Sequence, residues 1–81
     1  MKHARDDYND IVALDKKIPA DEPVFLLRGQ DAVAAAVVRV YASLLEVADP
    51  TNPLIASARA QADLMDAWPT KKLPNAAKKD A

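Results

Sequence analysis

From Asp31 to Ala48 the apolar residues recur in steps of four and three. Val33, Val37, Val40, Leu44 and Val47 form one seam, and Ala34, Val38, Tyr41, Leu45 and Ala48 form a second beside it. That spacing places side chains on one face of an α-helix and is the repeat used in coiled-coil contacts. Ala35 and Ala42 widen the apolar face, and only Arg39, Ser43 and Glu46 interrupt it as a polar stripe. A helix apolar over most of its circumference must be covered over most of it. Asp31 suits the N-cap and Gly29 permits a sharp turn into the helix, while Asp49-Pro50 closes it because the residue before proline disfavours helical geometry.

A second helix is expected from Pro53 to Trp68. Asn52 is its cap and Pro53 its first position, where a missing N–H costs nothing. Leu54, Ile55, Ala58, Ala62, Met65 and Trp68 supply an inward face; Ser57, Arg59, Gln61, Asp63 and Asp66 face outward, with Arg59 and Asp63 spaced to pair. Pro69 ends the helix. The short link Asp49-Pro50-Thr51-Asn52 folds the two helices into a hairpin. Upstream, Val24-Phe25-Leu26-Leu27 is too short for a helix and fits either a brief extended segment between Pro23 and Gly29 or the lead into the helix.

The flanking segments read differently. Residues 1–23 are polar and turn-rich, an extended arm in which Tyr8, Ile11, Val12 and Leu14 form one helical turn or lie across a partner. Residues 24–68 are the hairpin domain, and the lysine- and alanine-rich residues 69–81 read as a flexible tail. The fold class expected is mainly α: a helical hairpin over about 31–48 and 53–68 with an extended N-terminal arm.

Length turns this pattern into an expectation about assembly. A chain of 81 residues hides only roughly 60% of its unfolded surface on folding, and domains this small usually need a disulfide, a metal or a partner chain. There is no cysteine and one histidine, His3, so the expected staple is a second copy, giving a homodimer or tetramer in the form of a helix bundle. Eleven basic and twelve acidic side chains nearly cancel, unlike the basic surplus of nucleic-acid binders. No apolar run reaches membrane-spanning length and the charged start lacks a secretory apolar core. The absence of cysteine fits a reducing cytoplasm.

Catalytic groupings are almost lacking, and no enzyme, cofactor or metal site is expected. The two serines lie inside predicted helices, and a single glycine excludes a glycine-rich phosphate loop. Asp6/Asp7 and Asp21/Glu22 read as solvated loop carboxylates, and His3 beside Asp6 or Asp7 as part of the polar terminus. Arg28, Gln30 and Asp31 sit where an extended segment meets a helix start, a place that attracts anions, with an arginine fork nearby. The plainer account is that Asp31 caps and Arg28 pairs with Asp21, Glu22 or Asp31. Arg39 is either a rim residue paired with a neighbouring chain or a contact in a groove between subunits. Tyr41 reads as core with its hydroxyl at the rim.

The stretch Ile18-Pro19-Ala20-Asp21-Glu22-Pro23-Val24-Phe25-Leu26-Leu27-Arg28-Gly29-Gln30-Asp31 resembles a segment that recurs in small proteins encoded by tailed bacteriophages and prophages. Tyr8-Asn9 and the valine-rich helix ending at Ala48-Asp49 are similar too, so the likeness spans about residues 3–67. The resemblance implies an origin rather than a mechanism. Small accessory phage proteins act against host defences, some by binding a host protein and others as helical oligomers that trap nucleotide-derived immune signals without cleaving them. The expectation that follows is a cytoplasmic sequestering protein with Arg28, Gln30, Asp31, Arg39 and Tyr8 around its ligand, the arginines toward phosphate and the aromatic toward a base. The alternative is a protein–protein inhibitor or structural adaptor acting on a host or virion protein.

Overall fold

The computed structural model describes residues 4–9 and 18–74. Two helices dominate, α1 (Ala34–Ala48) and α2 (Leu54–Ala67), preceded by a short 3-10 turn at Asp6–Tyr8. Among the described residues there is no strand, and no helix is long and apolar enough to cross a membrane. The chain divides into two compact units, Arg28–Leu73 and a second made of Met1–Leu27 with Pro74–Ala81. Ile11, Val12 and Leu14, expected to form a turn or an extended contact, lie outside the described residues, as do His3 and residues 75–81.

Within Arg28–Leu73, α1 and α2 form the hairpin foreseen from the pattern. The helices run antiparallel: Arg39 pairs with Asp63 and Asp66, and Glu46, seven residues on, pairs with Arg59. Asn52 starts α2 as expected, its Oδ1 accepting the Leu54 amide at 2.8 Å, with Pro53 already helical at φ −65°, ψ −17°. The first helix begins later than its capping residue predicted. The Asp31 carboxylate accepts the Val33 amide at 2.9 Å and its carbonyl accepts from Ala34 at 3.1 Å, so a tight turn at 31–34 precedes the regular helix. Both helices stop at the residue before a proline, which the proline ring pushes out of helical geometry: Asp49 at ψ 78° and Trp68 at ψ 125°.

The hairpin closes on small side chains. Ala34, Ala35, Ala42, Ala58 and Ala62 are buried together with Ile55 and Met65, while Val38 and Leu45 are half-buried. Ala35, Val38, Ala42 and Leu45 meet Ile55, Ala58, Ala62 and Met65 in the same steps of three and four, and alanine at such a seam permits close approach of the helix backbones. Centring the contact on Ala35 and Ala42 rotates the other seam away. Val33, Val37, Val40, Leu44 and Val47 all stay exposed, Val47 to 85%. Three expected core residues also lie at the surface, Tyr41 by that rotation and two others by their place at the ends of α2. Tyr41 is 50% exposed on the flank of α1, and Leu54 and Trp68 are 46% and 56% exposed at the two ends of α2. Ser57, Arg59, Gln61, Asp63 and Asp66 face outward as predicted.

Residues 69–73, read from composition as the beginning of a frayed tail, instead run back against the start of α1. Lys72 pairs in parallel with Asp31: its amide donates to the Gln30 carbonyl at 2.7 Å and its carbonyl accepts from Ala32 at 2.8 Å. Gly29 lies at this crossing, where a Cβ would stand in ordinary contact with Trp68 and Met65, 3.4 Å from the Trp68 Cβ. The turn expected at Gly29 is present, the Asp31 amide closing on the Arg28 carbonyl at 2.9 Å, and because the φ of Gly29 is not positive the turn does not require glycine. Lys71 ties the crossing together, its Nζ donating to the Gly29 carbonyl at 2.9 Å and to the Met65 carbonyl. A cation on the last carbonyls of α2 also answers the negative end of the helix.

Candidate functional site

The Arg28–Asp31 turn is held in shape from three directions. The Asp31 amide donates to the Arg28 carbonyl at 2.9 Å, the paired backbone of Lys72 lies along one side, and Gly29 rests on Trp68. Arg28 projects from this fixed turn. Its side chain is exposed, and among the described residues of its own unit it makes no hydrogen bond or ion pair, Asp31 included. Gln30 is half-buried and offers its carbonyl to Lys72. Asp31 spends its carboxylate on the Val33 amide, which removes one of the free N–H groups an anion would take from the helix start. An anion here would have to be held by side-chain cations rather than by the helix terminus.

The fold supplies such cations from a place the sequence did not point to. Lys71 and Lys72 are brought to the Gln30–Ala32 backbone from across the hairpin. Three basic residues, Arg28, Lys71 and Lys72, thus share one edge with a single carboxylate, Asp31. Lys71 and Lys72 escaped sequence reasoning because they are separated from Arg28 by more than forty residues and sit in a stretch whose composition reads as tail. The only hint was their position two and three residues after Pro69, which ends α2.

The other two expected contacts lie elsewhere. Arg39 pairs with Asp63 at 2.9 Å and Asp66 at 2.7 Å on the opposite helix of its own hairpin. The hydrogen bond that Arg39 donates to Asp63, and then that to Asp66, holds the guanidinium pKa above its ordinary value. Neither a neighbouring chain nor a ligand is needed to satisfy this arginine. Arg59 pairs with Glu46 at 3.2 Å rather than with Asp63 as its spacing foretold, because Asp63 has turned to Arg39. The Glu46 carboxyl is correspondingly held below its usual range by the hydrogen bond from Arg59. Tyr8 belongs to the other unit, where it is buried with the Arg5 guanidinium 4.3 Å from its ring centre.

A shallow depression of about 550 Å³ opens beside the interhelical link, lined by Glu46, Asn52, Ile55, Arg59 and Asp63 among others. Its cation is already paired and its carboxylates outnumber it, so it does not suit an anion. Among the described residues no cluster of metal-binding side chains occurs. Set beside protein-family models, curated proteins and solved structures, the chain matches none of them. The class that the fold defines is a short antiparallel helical hairpin with one basic edge and one open apolar face.

Proposed function

We propose that this chain is a self-associating binding protein, phage-like in origin, that sequesters a phosphorylated nucleotide-derived signal without chemically changing it. The observation that carries this reading is the basic edge. Among the described residues the Arg28 and Lys72 side chains carry no hydrogen bond or ion pair, and their backbones flank a crossing fixed by hydrogen bonds: the Arg28 carbonyl accepts from Asp31, and Lys72 pairs with Gln30 and Ala32. A charged arginine held ready on a rigid turn, with lysine beside it, suits phosphate recognition. The bacteriophage-like segment that ends in Arg28-Gly29-Gln30-Asp31 contributes the arginine.

The test is a thermal melt of the chain against a panel of nucleotides and cyclic nucleotides. A ligand that binds only the folded state raises the melting temperature by mass action, by about 2.7 kcal/mol of apparent stability at a hundredfold excess over Kd. Arg28→Ala and Lys72→Ala should each remove that shift while leaving the unliganded melt in place. A chain indifferent to every nucleotide would reject the ligand. A second reading, an inhibitor or adaptor for a host or virion protein, is favoured by a different observation: the open valine and leucine seam of α1, which suits a protein surface. It predicts a protein that co-purifies with the chain and no response to nucleotides.

A further inference from the structure

We infer that the outer face of α1, the side turned away from α2, is the interface at which a second copy of this chain docks. The inference rests on the self-association proposed above and not on the ligand. Val33, Val37, Val40, Tyr41, Leu44 and Val47 each keep between 46% and 85% of their surface in solvent. Together they expose on the order of 600 Å², at the upper end of what soluble monomers leave open and most of the roughly 800 Å² that each partner brings to a standard interface.

The charge distribution points to the same face. Helix α1 carries two charged side chains, Arg39 and Glu46, and both are engaged by α2 of the same hairpin. Ala36 and Ser43 border the face on one side and Ala48 on the other, so docking buries no charge. The residues recur in steps of four and three, the spacing that lets one helix interlock with another of the same pattern.

What selects a second copy over a foreign protein is the core beneath. Five of the seven buried side chains in the hairpin are alanines, which remove little apolar area from water. A hairpin with so thin a core needs its outer face covered whenever it is folded, and the partner present in equal amount from synthesis onward is its own sequence. Such a chain folds and associates in one step, so its stability depends on its concentration.

The test uses the full chain, which has no native cysteine. Its mass is measured by light scattering and its melt at several concentrations. Single cysteines are then placed at Val37, Val40 and Leu44, and as a control at Ala60, which is exposed on α2, and each is oxidised. The expected result is a mass of two copies or more, a melting temperature that climbs with concentration, and disulfide-linked dimers from seam positions but not from Ala60→Cys. An oligomer that cross-links through Ala60→Cys and through no seam position would overturn this interface while leaving self-association intact. A folded monomer whose melt ignores concentration would overturn both, and the nucleotide panel would then judge the ligand separately.

Discussion

Single side chains fix the ends of the helices and the crossing between them. Asn52 holds the first turn of α2 through the Leu54 amide. Asn52→Ala should cost about 1 kcal/mol, read as a lower midpoint in urea. Gly29 is a sharper case because its backbone is ordinary and only the neighbouring Trp68 limits it. A methyl at 3.4 Å from the Trp68 Cβ is close but tolerable, and losing glycine removes unfolded-state freedom worth about 0.4–1 kcal/mol. Gly29→Ala should therefore leave stability nearly unchanged, whereas Gly29→Val, whose branches reach Trp68, should lower it clearly in the same denaturation series. Ala42 is wholly enclosed between the helices. Ala42→Leu should cost about 1–3 kcal/mol by forcing them apart.

The two helices are joined along one flank by ion pairs, and these respond to pH in a definite direction. Glu46 is held below the usual carboxylate range by Arg59, so its contribution is present above that range and disappears as pH falls through the depressed value. A melt series from neutral to strongly acid pH should show Glu46→Gln less stable than the parent at neutral pH, with the gap closing under acid. Both partners are solvent-exposed, so the gap should be small and should shrink further in high salt. Arg39 is held above its ordinary value, so its contribution would be lost only as pH rises far into the alkaline range. Arg39→Ala should destabilise the hairpin without altering any nucleotide response, because its fork is already occupied by Asp63 and Asp66.

At the scale of the whole molecule, a basic edge and an open apolar face begin within a few residues of each other. Arg28 precedes Val33, the first residue of the exposed seam, by five positions. Copies meeting along α1 would come together beside a turn that already holds a cationic side chain without a partner. Leu44→Arg, which sets a charge in the middle of that seam, should reduce the light-scattering mass and lower the melting temperature of what remains folded. Lys71→Ala should act differently from Lys72→Ala. Lys71 caps the Met65 carbonyl and reaches Gly29, so its loss should lower stability with or without ligand. The Lys72 side chain has no such task.

Sequence by itself determined the hairpin. Helix periodicity, the cap at Asn52 and the prolines at 50, 53 and 69 act through local sterics and hydrogen bonding, which a short window of residues contains. It also showed that α1 has more apolar surface than one companion can cover. Which seam of α1 would turn inward was decided only by tertiary packing. Two adjacent seams with the same spacing are equivalent until a partner helix is present, and neither turned inward whole: the contact centres on Ala35 and Ala42, with Val38 and Leu45 of the second seam, because alanine admits α2 more closely than valine or tyrosine does. The same choice sent Asp63 to Arg39 instead of Arg59 and left Tyr41 on the surface. The basic edge was likewise beyond a local reading, because Lys71 and Lys72 reach Arg28 only through the return of the chain along the start of α1, a contact made by backbone hydrogen bonds between segments that carry no shared pattern.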